Sequence, residues 1–284
     1  MQRVLSTYLF VNRKLSAAVL GEVARAGFPA IELFCSRTHF DYRSPEDARE
    51  LAAWLEGNAL VLQSIHAPTE RDFTPRRESG APLSISDPER GRRVEAVDEI
   101  KRALDLAENI PFQYCVQHVA GPRDAPDPRR WDAAFNSLEH LSLFAKARGV
   151  TMALENTPGE MATPANLKHF IEETRLQSLR LCFDVGHANL EGGVAAALEP
   201  VREMVATTHI HDNRGERDDH LLPYEGTIDW KAALAALPEK LPFVVELKEP
   251  PAAAGAADLA PFAATLRGAR EALDKLERER AAGN

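Results

Sequence analysis

Between Thr207 and Trp230 the chain reads T-T-H-I-H-D-N-R-G-E-R-D-D-H-L-L-P-Y-E-G-T-I-D-W, and this stretch holds three of the nine histidines, His209, His211 and His220. It also carries Asp212, Asp218, Asp219 and Asp229. His209 and His211 are two apart behind the run Ala206–Thr208, and in a strand positions i and i+2 share a face. The following loop, with Asn213, Gly215, Pro223 and Gly226, is too polar for a core. Imidazoles and carboxylates gathered at a strand end and its loop are the donor set of a divalent cation. A solvated acidic loop after an ordinary strand is the alternative.

The elements that must position these residues follow from hydrophobic patterning. Apolar runs predict strands at residues 4–10, 30–35, 60–66, 114–119, 151–155, 179–184, 206–211 and 243–248. Helical periodicity and caps predict helices from Ser16 to about Ala26, at 45–55 behind Ser44, at 88–109 with Val94, Val97, Ile100, Leu104 and Ala107 on its apolar stripe, and at 130–148. Further helices are expected from the cap-then-proline pair Thr163-Pro164, at 194–205 with a break near Pro200, from Asp229, and at about 258–279 before a frayed tail. The alternation runs from 1 to 284 with no linker, so the predicted fold class is α/β, a single (β/α)8 TIM barrel. A doubly wound open sheet is the rival, but no Gly-rich dinucleotide loop follows the first strand.

On that frame the polar residues fall at strand ends: His66, His118, Glu155, Asp184, His209 and Glu246, with His187 three residues after Asp184 and Glu32 at the end of strand two. In a barrel these ends converge on one face. A carboxylate inside M-A-L-E-N or V-V-E-L-K is costly to bury without compensation, which a divalent cation supplies. With no thiolate in the set, manganese, cobalt, zinc, iron and magnesium all remain open.

Composition sets the bounds. A charge of −9, with 44% hydrophobic and 27% charged residues, fits a soluble globular protein and disfavours a generic polyanion binder, although a local basic groove is compatible with it. The N-terminal apolar run is too short and polar for a signal peptide, and no stretch reaches the length of a membrane span, so a cytoplasmic protein without a membrane partner is expected. Cys35, Cys115 and Cys182 lack C-x-x-C spacing and read as buried free thiols. The loop 67–88 lacks periodicity and is expected to cover the mouth, where Arg71, Arg76 and Arg77 could meet a phosphate or form a solvated charged lid. A homo-oligomer is compatible with a barrel of this size, though no exposed apolar stripe requires one.

The motifs L-E-N-T-P-G, F-D-V-G-H-A-N, H-I-H-D-N…D-D-H…E-G-T-I-D-W and V-V-E-L-K resemble the xylose isomerase-like TIM-barrel superfamily. That superfamily contains sugar and sugar-phosphate isomerases and epimerases, and also the apurinic endonuclease IV group. The resemblance spans essentially the whole chain. For the ketose epimerase branch it implies one metal on Glu155, Asp184, His209 and Glu246, with Glu155 and Glu246 moving the proton through a metal-stabilised enediolate. His187 matches a substrate-binding histidine and Glu32 a glutamate frequent in isomerase-like members. His211 would orient a hydroxyl, and Lys248 would either neutralise the intermediate or form a rim salt bridge. For the endonuclease IV branch it implies three zinc ions on His66, His118, Glu155, Asp184, His187, His209, Asp218, His220 and Glu246. Departures from that branch are A-P-T-E after His66, with no DNA-probing tyrosine, and His211 where the branch has asparagine. The leading expectation is a metal-dependent isomerase or epimerase with a small carbohydrate, sugar-phosphate or polyol substrate. The rivals are a zinc phosphodiesterase acting on abasic DNA and a non-catalytic barrel that binds metal or sugar.

Overall fold

The computed structural model describes residues 1–71, 82–121, 124–256 and 258–283. Eight parallel strands close into a barrel in sequential order. They are β1 (Gln2–Ser6), β2 (Ala30–Phe34), β3 (Val61–His66), β4 (Tyr114–His118), β5 (Thr151–Glu155), β6 (Arg180–Asp184), β7 (Val205–Ile210) and β8 (Pro242–Val245), and β8 returns to pair with β1. The helices around them are α1 (Ala17–Arg25), α2 (Pro45–Gly57), α3 (Arg90–Leu104), α4 (Pro128–Lys146), α5 (Pro164–Thr174), α6 (Val185–Leu190), α7 (Val194–Leu198), α8 (Trp230–Ala236) and α9 (Phe262–Gly283). Small residues such as Val4, Ala30, Val116, Ala153 and Val244 fill the barrel interior, while a larger apolar layer joins strands to helices. No helix among the described residues is long and apolar enough to cross a membrane.

Start signals in the sequence act as anticipated. Ser16, Ser44, Thr163 and Asp229 each accept a backbone N–H of the first turn of α1, α2, α5 and α8. Other boundaries differ, each for a local reason. The first strand stops at Ser6 rather than running to Phe10, because the Ser6 hydroxyl accepts the Tyr8 N–H and turns Thr7–Phe10 into a 3-10 turn. The helix expected at 88–109 spans Arg90–Leu104, with the Glu89 carboxylate capping Gly91 and Arg92. Its buried face is Ala96, Glu99, Ile100, Ala103 and Leu104, and Val94 is 48% exposed instead of lying on the apolar stripe. The rest of the expected stripe packs as anticipated, Ile100 and Leu104 in the core with Val97 and Ala107 against it, and Glu99 joins that face because the Tyr42 hydroxyl, 2.9 Å away, and Arg43 hold its carboxylate. The last helix reaches Gly283, so residues expected to fray continue it.

The three cysteines are buried and unpaired, with Cys35 one residue past its strand. Within the loop 67–88, Glu70 bridges Pro82 and Ile85 is fully buried, while Arg71 pairs with Glu95. Arg76 and Arg77, and with them residues 72–81 of the expected lid, lie outside the described residues.

Candidate metal centre

The C-terminal ends of β3 to β8 bring the candidate residues together, and short-range devices aim them. Asp184 is both the last residue of β6 and the N-cap of α6. Its Oδ1 accepts the His187 N–H at 2.7 Å, so the D-x-x-H spacing is that of a cap and its third helical residue. Asn156 ties β5 to β6: its Oδ1 accepts the Asp184 N–H at 2.8 Å and its Nδ2 donates to the Asp184 carbonyl at 2.9 Å. Sequence reasoning quoted Asn156 in a motif without giving it this role.

Among the described residues the donors form three groups, each with ligand atoms within 4.8 Å of one another: Glu155, Asp184, His209 and Glu246 at the centre; His66, His118 and Glu155 on one side; His187, His211, Asp218 and His220 at the rim. Glu155 is common to the first two. Its Oε2 lies 3.2 Å from His66 Nε2 and 3.0 Å from His118 Nε2, and its Oε1 lies 3.2 Å from His209 Nδ1 and 3.4 Å from His187 Nδ1.

The histidines are oriented for coordination. His66, His187 and His220 each place Nδ1 on a backbone carbonyl, of Ala67, Asn156 and Glu246 respectively. A carbonyl only accepts, so Nδ1 carries the proton and Nε2 is left to face the carboxylates, the usual outer support of a metal-binding imidazole. His209 reverses the rings: Nε2 donates to Glu32 at 3.1 Å, and Nδ1 is buried with no hydrogen-bond partner among Glu155, Asp184 and Glu246. Asp218 Oδ1 is buried and unpartnered as well. These orphaned atoms, aimed at clustered carboxylates, fit a divalent cation.

Electrostatics agree with the geometry. Burial favours the neutral form of Glu155, yet His209 and His118 hold its carboxyl well below the usual range. Asp184 is also held low, its burial outweighed by His187 and His211. In return burial depresses His187, but Asp184 and Asp218 lift it well above an ordinary histidine. Buried carboxylates here require positive charge, which imidazole protons supply in the ion-free protein and a divalent cation supplies at a single point.

Two residues expected to contact substrate are engaged by protein partners. Glu32 is the third residue of β2, fully buried, with Oε1 on His209 and Oε2 accepting the Ser64 hydroxyl at 2.8 Å. It therefore lies behind His209 and holds that ring by the bond to Nε2. Glu32→Gln should weaken metal affinity about 10–100-fold without unfolding the barrel, measured by titration with a metal chelator in competition. Lys248 is exposed on the rim and bonds the Asp218 carbonyl, with Asp218 Oδ2 at 3.9 Å, which is the salt-bridge alternative. Sequence reasoning also missed an aromatic wall, in which Tyr8 packs 4.9 Å from Phe34 and 5.5 Å from His220, and Phe34 lies 4.9 Å from His66.

Comparison with known proteins agrees with the architecture. An uncharacterized protein of Methanocaldococcus jannaschii, MJ1311, is 28% identical over 249 residues, covering 82% of this chain and 78% of that protein. The crystal structure of a D-tagatose 3-epimerase-like protein superposes with a TM-score of 0.77 at 22% identity, covering 98% of this chain and 97% of that one. The structure of an IOLI protein with a binding zinc atom gives 0.75 at 16% identity, covering 100% and 99%. The family described as xylose isomerase-like TIM barrel matches residues 20–277, and the chain belongs to that family.

Proposed function

We propose that this protein is a divalent-metal-dependent isomerase or epimerase acting on a carbohydrate or related polyol. The observation that carries the reading is the central group, in which Glu155 and Glu246 approach His209 Nδ1 at 3.2 Å and 3.6 Å with Asp184 at 3.7 Å. A divalent cation held by these four residues would polarise a substrate carbonyl and its neighbouring hydroxyl. The two glutamates are unequal. Glu155 is held by imidazoles on both oxygens, whereas the Glu246 carboxylate has only longer approaches, 3.6 Å to His209 Nδ1 and 3.8 Å to His220 Nδ1. Glu246 is therefore the freer base to take the proton beside the carbonyl, with Glu155 opposite it to return one. The sugar epimerase fold relative supports a polyhydroxylated substrate. Glu246→Gln should lower turnover of a responsive ketose by about 10²–10⁴-fold while the protein stays folded. Turnover within a few-fold of wild type would sink this assignment.

A second reading rests on one specific observation, the side and rim groups that flank the centre. Three ions there would suit a zinc phosphodiesterase, which stabilises attacking and leaving oxygens together. Metal content of protein purified without chelator tests both. One ion per chain with ketose turnover supports the isomerase. Two or three zinc ions with EDTA-sensitive cleavage of an abasic duplex supports the phosphodiesterase.

A further inference from the structure

His211 is within 3.8 Å of Asp218 Oδ1, so proximity alone counts it as a fourth donor of the rim group. We propose instead that His211 is a positioning residue, which clamps Asp184 by its edge and His220 by its face and leaves the rim ion to His187, Asp218 and His220. The proposal rests on the metal-binding part of the function above and is independent of which reaction follows.

The first ground is what its nitrogens meet. His211 is fully buried, and Nε2 lies 3.1 Å from both oxygens of Asp184, so one N–H is forked across a single carboxylate. Nδ1 has no hydrogen-bond partner, and the Cε1 edge of the ring lies against Gly186, where a β-carbon would come within 2.0 Å of Cε1, 2.4 Å of Nδ1 and 2.6 Å of Nε2. That side of the ring is closed by backbone, and Gly186 is bare because the imidazole takes the space. The second ground is the stack. The His211 and His220 rings lie 4.0 Å apart at 8°. A metal sits in the plane of the imidazole that binds it, and two parallel planes share no point, so one ion cannot be held in plane by both. Of the two, His220 has its Nδ1 on the Glu246 carbonyl and its Nε2 at 2.9 Å from Asp218 Oδ2, which is the arrangement of a donor. The third ground is need. Asp184 Oδ1 caps α6, and the forked N–H stops the carboxylate from rotating away from the central group.

The test compares His211→Leu with His211→Gln, whose amide nitrogen can occupy the place of Nε2, by equilibrium titration with cobalt(II) followed by its visible absorption. Full-length protein is used throughout. The expected result is an unchanged number of ions per chain in both variants, affinity about 10–100-fold weaker in His211→Leu, and affinity within a few-fold of wild type in His211→Gln. Loss of one ion per chain in both variants, or a changed cobalt spectrum in His211→Gln at saturation, would make His211 a ligand and overturn the proposal. Unaltered affinity in His211→Leu overturns it too. Should His211→Leu fail to fold, His211→Gln decides alone: full count and near-native affinity uphold the clamp, and a lost ion refutes it. Wild-type protein that takes up no cobalt overturns both this proposal and the metal-dependent function, a result distinct from any difference between variants.

Discussion

Glu155→Gln should deprive the protein of metal at the centre and at the side group together, and turnover should fall on the order of 10²–10⁴-fold. The substitution is nearly isosteric, so packing in β5 survives and the circular dichroism spectrum should not change. Chemistry at the two oxygens does change. In the native chain Oε2 serves His66 and His118 while Oε1 serves His209 and His187. A glutamine offers one oxygen, and whichever way the amide sits, an NH2 replaces the carboxylate oxygen toward one pair of imidazoles. It also removes the charge that lifts His66 against its burial. Glu246 is a donor of the central group alone, so metal per chain should fall further in Glu155→Gln than in Glu246→Gln. Elemental analysis of the two purified variants beside wild type measures this. Equal metal content in all three would mean that Glu155 is a structural ion-pair partner and not a shared ligand.

Much of this centre was legible because a barrel restricts where a buried carboxylate can go. Glu155 and Asp184 each follow three buried apolar or thiol residues in their strands, and strand ends of a closed parallel sheet have one common destination. The D-x-x-H spacing was readable for its members but not for its cause, since the strand reading stops at Asp184 and gives no sign that this residue also opens the short helix α6. Glu32 shows the opposite limit. It lies two residues short of the end of β2, and that small displacement along the strand puts it behind His209 instead of in the mouth. No local pattern reports depth along a barrel axis. Glu99 shows a related limit: a charged residue is buried on the inner face of α3 because Tyr42 and Arg43 reach it from another part of the chain, which no local pattern reports. Among the rim residues, His220 was legible by type, while its backbone at φ +50° was not.

That left-handed backbone leads to the other large effect. Asp212→Ala should lower stability by about 3–5 kcal/mol, since each buried donor left unsatisfied costs about 1–3 kcal/mol, and should release the rim group with it. Asp212 is fully buried at the base of the loop, with Oδ1 accepting the Asn213 and Ile228 N–H groups and Oδ2 accepting the Tyr224 N–H and the Trp230 indole. Its backbone also pairs with Leu221 in both directions at 2.8 Å. The loop from Asn213 to Trp230 is therefore folded around one carboxylate, with Ile228 and Trp230 of the E-G-T-I-D-W segment supplying two of its four donors. Gly226 belongs to the same device, because a β-carbon there would lie 2.2 Å from both the Asn213 carbonyl and Asp212 Oδ1. Between these anchors His220 and Tyr224 hold φ of +50° and +75°, conformations that an unsupported residue leaves at a gain of about 1–3 kcal/mol. Alanine at 212 orphans three N–H groups and an indole at once and removes the constraint that keeps His220 in place. Denaturant unfolding should show the lost stability, and metal titration should show the rim ion gone while the central group, built on strands β5 to β8, keeps its own. Weakening of all groups alike would mean that the loop and the barrel mouth are one cooperative unit, and an unchanged midpoint would mean that Asp212 carries none of the load its four hydrogen bonds imply.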